Sequence, residues 1–369
     1  MIMVLFGEVS SSTSLVRLVV LCTGFLLPWS AQAALNPKEM AQHLEAGKPI
    51  LGTFSHSSNP LTTWMGRLED STLIPTINVP GTHDTSTWNY TGPDETTYRT
   101  QDISIFDQLN AGIRFLDIRF GLDENTNILR VYHADVLLSS TASLEDVLWG
   151  LYHFLDNHPS ETLLVSLKVD HGDDSLPVQQ AAHALITGTS VRDYWVQSTS
   201  LPENLGLARH KIILFSRFGY DTADDPSLTP VGLNVAVGWD DNTADFSITY
   251  NTGELAYIED LYQLNGDNVP AANKVETKFD AVTSHIINAQ GSGNVTQVFI
   301  SFVSGYGAGI GDTLTPRTLA EGNSTVHLEG INQKMDDWLT GRENQRLGIV
   351  LYDFFQSRPD LVRKTIGSR

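Results

Sequence analysis

Beyond residue 70 the chain alternates short aliphatic and β-branched runs with longer amphipathic stretches. The runs at 74–79, 113–120, 129–133, 162–169, 211–217, 232–238, 297–303 and 347–354 predict eight strands. Several of them (TLLVSLKV, KIILFSRF, LGIVLYDFF) are almost wholly apolar, as expected of strands covered on both faces of a parallel sheet. Between them, 144–157 carries Leu144, Val147, Leu148, Leu151 and Leu155 on one helical face, with Ser143 placed as N-cap. Stretches 275–289 and 327–339 predict further, less regular helices, and 220–230 predicts a loop. Eight strands with intervening helices fit an α/β fold, a single-domain (β/α)8 TIM-type barrel distorted from the ideal, for which about 250 residues suffice. A doubly wound open sheet is the runner-up. The first strand runs into Val79-Pro80-Gly81-Thr82 rather than a glycine-rich dinucleotide turn, which gives a nucleotide fold no support. The expected organisation is 1–33 as a signal peptide, 34–70 as an N-terminal extension packed on the barrel, and 71–369 as the barrel.

The leader changes the picture of where the protein works. The apolar run 18–29 (LVVLCTGFLLPW) follows Arg17 and precedes Ser30-Ala31-Gln32-Ala33, the pattern of a secretory signal cleaved after Ala33. It is shorter than the about 20 residues that a membrane span needs. Cys22 is the only cysteine of the chain, so neither a disulfide framework nor a cysteine metal cluster is available. Three sequons, at Asn89, Asn294 and Asn323, combine with the leader to predict a soluble, secreted glycoprotein. The formal charge of −20 repels phosphate backbones and excludes nucleic acid as a first-choice partner.

Chemistry gathers where the strands end. The first runs into His83-Asp84, the second ends Asp117-Ile118-Arg119 and the third Tyr132-His133. The fourth ends at Lys168, the fifth at Arg217 and the eighth at Tyr352-Asp353. In a parallel barrel these positions share one rim, where active sites are assembled. Two imidazoles facing one phosphorus can act as general base and general acid, because they titrate near neutral pH. Arg119 between them could neutralise the charge growing on phosphate oxygens through a forked contact. Either Asp353 or Asp84 could fix an imidazole in its useful tautomer. This is the equipment of phosphodiester transfer without a metal.

The motifs Val79-Pro80-Gly81-Thr82-His83-Asp84, Leu116-Asp117-Ile118-Arg119, Tyr132-His133 and Ser166-Leu167-Lys168 resemble those of the catalytic X domain of phosphatidylinositol-specific phospholipase C, most of all in small secreted bacterial enzymes. Gly348–Phe354 is similar to their last strand, and the resemblance runs in order over roughly residues 70–356. It implies attack of the inositol 2-hydroxyl on phosphorus, releasing diacylglycerol and inositol 1,2-cyclic phosphate. By the same resemblance His83 is the general base with Asp353 behind it, and His133 is the general acid. Asp84 is then linked to His133 and Arg119, while Asp117, Lys168, Arg217 and Asp241 (favoured over Asp240 by spacing) line the inositol. It further implies no cofactor and no metal, since Arg119 stands where animal relatives use calcium. The expected partners are a phospholipid or a glycosylated inositol phosphodiester and, briefly, a membrane surface; the enzyme is expected to be a monomer.

Plainer readings stand beside these. His83 could be a turn residue, Arg119 and Asp117 a structural ion pair, and Lys168 a side chain escaping to solvent. His43, His56, His153, His158, His171, His183, His210, His285 and His327 are expected to be surface or capping residues. His171-Gly172-Asp173-Asp174 lacks ligand spacing and is expected to be an acidic turn. Trp88, Tyr90 and Tyr306 could dip into lipid, but loop packing is preferred for them, and the charge disfavours tight binding to anionic bilayers. Two competing functions remain. One is a metal-dependent glycerophosphodiester phosphodiesterase, which calls for glutamates that the second strand lacks. The other is a non-catalytic secreted binding protein on the same barrel.

Overall fold

The computed structural model describes residues 35–309 and 313–367, so the predicted signal peptide lies outside the described residues. Eight parallel strands, labelled in chain order, carry the fold: β1 (Val79–Thr82), β2 (Phe115–Asp123), β3 (Leu163–His171), β4 (Ile212–Arg217), β5 (Leu233–Asn234), β6 (Glu254–Glu259), β7 (Val298–Val303) and β8 (Ile349–Tyr352). They pair in the order β5-β4-β3-β2-β1-β8-β7-β6. An antiparallel strand, Phe246–Asn251, pairs with the outer edge of β6. Among the described residues no ladder joins that strand to β5, so the α/β barrel is nearly closed, with one seam. β7 and β8 are buried along their length, and β3 and β4 are buried up to Leu167 and Ser216, as strands sandwiched between a barrel interior and outer helices must be. Gly81 is required where β1 meets β2, since a Cβ there would lie 2.8 Å from that of Phe115.

Four expectations shift. The first strand begins only at Val79, because Pro75 opens a 3-10 turn at Ile74–Thr76 instead of extending the run. The third, Ile128–His133, is antiparallel to β2, with Phe120 opposite Val131. Its linker from β2 is far too short for a parallel crossover, which takes a dozen or more residues. The sixth shrinks to Leu233–Asn234. The parallel strand missing from the expected set is β6, whose sequence ELAYIE alternates too weakly to declare itself and which is entered by a turn at Gly253 (φ 76°).

The helices follow the pattern more closely. Leu144–Asn157 starts with a capping box: Asp146 N–H donates to Ser143 Oγ (3.1 Å) and Ser143 N–H to Asp146 Oδ2 (2.8 Å), a device that contributes about 1 kcal/mol. Stretch 275–289 lies inside Ala271–Gly291, and 327–339 shortens to Ile331–Leu339 behind Gly330. Within the N-terminal segment, helix Pro37–Leu51 crosses Leu144–Asn157 closely enough that a Cβ on Gly150 would meet Leu51 at 2.4 Å. His43 stacks on Trp149 and bonds Asp146 at 2.8 Å. His285 departs from the surface role expected of it: it is 1% exposed and bonds Ser301 Oγ on β7 at 2.8 Å.

Candidate active site

Parallel register sets the first layer of the site. Arg119 on β2 is level with Lys168 on β3, and Lys168 with Arg217 on β4. Three cations therefore stand side by side at strand spacings of about 4.8 Å, an arrangement that repels itself unless anions answer it. Carboxylates do so. Arg119 Nε is in ion-pair contact with Asp84 Oδ1 and lies 3.3 Å from Asp117 Oδ2; its Nη1 lies 3.5 Å from Asp170 Oδ2. Lys168 Nζ reaches Asp170 Oδ1 at 2.8 Å, and Arg217 Nη1 approaches Asp117 Oδ1 at 3.9 Å. Arg217 also stacks 3.6 Å over the ring of Trp239, whose Nε1–H donates to Asp260 Oδ2 at 2.7 Å.

The imidazoles meet on one carboxylate. His133 Nε2 lies 3.0 Å and His83 Nε2 3.2 Å from Asp84 Oδ2. His83 Nδ1 is 3.0 Å from Asp353 Oδ1, and Arg119 Nη2 is 3.0 Å from His83 Nε2. His133 Nδ1 faces the carbonyl oxygen of Tyr98 at 2.8 Å and must carry a proton there. Its Nε2 lies against Asp84 Oδ2, to which it can donate when that nitrogen carries a proton as well. His83 differs, since its Nε2 can accept from Arg119 when neutral or donate to Asp84 when charged.

Local chain geometry holds these groups. Asp84 adopts a left-handed conformation (φ 42°), and Thr87 Oγ1 and Thr100 Oγ1 donate to its carbonyl oxygen at 3.0 and 3.2 Å. Gln101 Nε2 donates to the carbonyls of His83 (2.8 Å) and Tyr352 (2.9 Å). Asn332 Nδ2 donates to that of Asp353 at 2.9 Å. His133 arrives by the return strand of the β2 hairpin, so its place at the rim comes from a route other than the parallel one expected.

Burial and charge oppose each other here. Burial alone would push His83 down, yet Asp84 and Asp353 raise its pKa above the ordinary imidazole value. Against the upward push of burial, Arg119 and then the two histidines hold Asp84 well below the usual carboxylate range. Burial likewise works against the Arg119 cation, but Asp84, Asp117 and Asp170 keep it well above its usual value. Lys168 is lowered by burial and then by Arg119 and Arg217. Asp353, 1% exposed, is raised by burial in spite of His83.

These groups open into a cavity of about 390 Å³ that His83, Arg119, His133, Lys168, Arg217, Asp241 and Asp353 all line. Asp84 and Asp117 lie beneath it, 2% and 0% exposed. All nine residues singled out from the sequence are thus gathered at one mouth. Sequence reasoning missed Asp170, Asp260, Tyr98 and Tyr262, which also line it. Asp170 was readable, because two residues after Lys168 on a strand is the same face. Asp260 was hidden with β6, which it follows. Tyr262 donates its hydroxyl to Asp241 Oδ2 at 2.7 Å. Among the described residues, His83, Asp84 and Asp117 bring possible metal-ligand atoms within 4.8 Å of one another. The Arg119 guanidinium already sits against both of those carboxylates, supplying the positive charge that a cation would bring.

Two protonatable rings, a shared carboxylate and a cation layer suit proton transfer on either side of an anionic centre. Comparison with known proteins places likenesses beside this geometry. Residues 78–218 match the family model of the phosphatidylinositol-specific phospholipase C X domain. The chain is 29% identical over 313 residues to a 1-phosphatidylinositol phosphodiesterase of Listeria monocytogenes, covering 80% of this chain and 82% of that protein. It is 26% identical over 261 residues to the protein of the same name from Staphylococcus aureus, covering 68% and 78%. In fold it is similar to a solved phosphatidylinositol-specific phospholipase C of Staphylococcus aureus, with a TM-score of 0.69, 22% identity and 84% and 97% of the two chains covered. Residues 78–218 thus carry a likeness to the phosphatidylinositol-specific phospholipase C X domain, and over most of its length the chain is similar in sequence and fold to bacterial phospholipase C-type enzymes.

Proposed function

We propose that this enzyme cleaves phosphatidylinositol-type lipids by transfer within the substrate. The inositol 2-hydroxyl attacks phosphorus and gives its proton to His83 Nε2. As the new P–O bond forms, the bond to the glycerol oxygen breaks, and His133 Nε2 protonates that oxygen. The products are diacylglycerol and inositol 1,2-cyclic phosphate. Asp353 supports His83, Asp84 couples His133 to Arg119, and Arg119 takes the charge growing on the non-bridging oxygens. Asp117, Lys168, Arg217 and Asp241 bind the inositol hydroxyls. The observation that carries the reading is the convergence of both Nε2 atoms on Asp84 Oδ2, at 3.0 and 3.2 Å, beside the Arg119 guanidinium.

No metal is needed in this scheme, because the guanidinium supplies the charge. The reading also takes the protein to be a secreted monomer, released after Ala33, that touches membranes only briefly. Anchoring of Trp88 by its Nε1–H to the Ile50 carbonyl (2.8 Å) and of Tyr90 by its hydroxyl to that of Pro93 (2.8 Å) supports packing roles for both rings. Asn89 spends its amide on the Pro49 carbonyl (2.7 Å), which favours the exposed Asn294 as the glycan acceptor.

The test offers vesicles of phosphatidylinositol, vesicles of phosphatidylcholine and a glycosylinositol-anchored protein, with and without chelator, and follows the phosphorus product by NMR. Cyclic phosphate from the inositol substrates, unchanged by chelator, is expected. Chelator-abolished activity would transfer the assignment to the metal-dependent phosphodiesterase, and no turnover of any substrate would leave a binding protein.

A further inference from the structure

One short strap, residues 98–102, touches the supports of both histidines. The Tyr98 carbonyl accepts from His133 Nδ1 at 2.8 Å. The Thr100 carbonyl accepts from Phe354 N–H at 2.9 Å, directly after Asp353. Gln101 Nε2 bonds the carbonyls of His83 and Tyr352. The strap is fastened by helix Pro316–Glu321. Arg317 Nη2 and Nη1 grip Asp102 as a fork, at 2.6 Å to Oδ1 and 2.9 Å to Oδ2. The same guanidinium lies 3.9 Å from the ring centre of Phe354, which is held at φ 45°. One side chain thus joins the strap that fixes the His133 tautomer to the turn that carries Asp353 behind His83.

We propose that Arg317, through its fork on Asp102 and its stack on Phe354, is a positioning residue that keeps both imidazoles aligned for proton transfer. Arg317 and Asp102 touch none of the reacting groups, and their side chains are 40% and 32% exposed. A pair so open to solvent adds little to global stability. It can still govern rate, because a small displacement of an acid or base is costly to the chemical step. The fork matters as well as the charge, since lysine offers a point charge where arginine offers a planar grip.

The inference rests on the acid–base assignment above, and its test separates the two. Arg317→Gln, Arg317→Lys, Asp102→Asn and the double variant Arg317→Gln/Asp102→Asn are assayed on phosphatidylinositol and on an inositol phosphate ester of nitrophenol. Melting temperature is followed in parallel. The expected result for Arg317→Gln is a fall in kcat of about tenfold to a hundredfold with KM unchanged. That deficit should shrink on the nitrophenyl ester, whose leaving group needs little help from His133. Lysine should recover part of the rate, and the double variant should be no slower than the worse single one. Independently of turnover, the His133 Nδ1–H resonance should lose its protection from exchange in Arg317→Gln. Unchanged kcat with an unchanged resonance would overturn the clamp, as would an equal loss on both substrates that follows the melting temperature. If the wild-type enzyme turns over neither substrate, the acid–base assignment fails, and the imidazole resonance alone decides whether the clamp exists.

Discussion

Arg114 and Arg119 stand five residues apart along one strand and its lead-in, at opposite ends of the barrel, and they are furnished differently. Arg114 is 0% exposed, and every donor nitrogen of its side chain has a partner. Its Nε and Nη2 bond Glu161 Oε2 at 2.9 and 2.8 Å, and its Nη1 bonds the carbonyls of Leu109 and Ile113, each at 2.8 Å. Glu161 in turn accepts from Ser160 Oγ at 2.8 Å and Gly66 N–H at 3.2 Å. Arg119 faces the cavity among carboxylates that are incompletely satisfied: among the described residues, Asp117 Oδ1 and Asp353 Oδ2 accept no hydrogen bond. Burial wins at Arg114 and lowers its pKa; carboxylates win at Arg119 and raise it. A saturated guanidinium closes the bottom of the barrel, whereas an unsaturated set at the top keeps bonding capacity for something that arrives from outside.

The sharpest way to break this contrast is at the histidines. His83→Ala and His133→Ala should each lower kcat by about 10²–10⁴-fold, with the double variant scarcely lower, as measured by release of cyclic phosphate. Next come the arginines. Arg119→Lys should cost about 10²–10³-fold in kcat with little change in unfolding midpoint. Arg114→Met should do the reverse, losing about 3–5 kcal/mol in denaturant titration while the folded fraction keeps its kcat. Equal effects of the two on both readouts would erase the distinction between floor and rim.

Smaller effects follow from titration. Buried His285 has its pKa lowered by desolvation to about 4, so between pH 6.5 and 4 the unfolded chain takes up a proton that the folded chain refuses. Stability should fall over that window by up to about 3 kcal/mol, and His285→Gln should flatten the acid side of the melting curve against pH. His83 runs the other way. Its pKa is raised on folding, so its contribution is full below 6.5 and is lost as pH rises through the folded value. Because the base must be neutral, the acid limb of kcat/KM should lie above 6.5. Asp353→Asn removes one of the raising carboxylates and should move that limb to lower pH.

Much of the rim was legible because chemistry-bearing residues punctuate apolar strands. A charge at the end of TLLVSLKV or LGIVLYDFF has no packing reason to be there. What the pattern could not give was direction. The return strand carrying His133 has the composition of a barrel strand, and only its short linker betrays a hairpin. β6 was illegible for a different reason. Its Glu259 is fully buried against Lys278 Nζ (2.7 Å), so a core position reads as polar. A paired charge inside the wall defeats hydrophobic patterning, and Asp260 was lost with it. Arg317 and Asp102 were also out of reach, because their meeting depends on a contact between residues 215 positions apart.

The seam between β5 and Phe246–Asn251 divides the mouth of the barrel into two unlike flanks. Hydrogen-bonded continuity runs the long way round, through β1 and β2, where His83 and Arg119 are mounted. Trp239 and Asp241 lie in the segment that spans the seam; Asp241 lines the cavity, while Trp239 packs beneath Arg217. Spreading the wall at that point breaks no ladder hydrogen bond. Among the described residues, the flank of the mouth that carries His83 and Arg119 is therefore tied by ladders on both sides, while the flank that carries Asp241 is held by side chains and loop contacts instead.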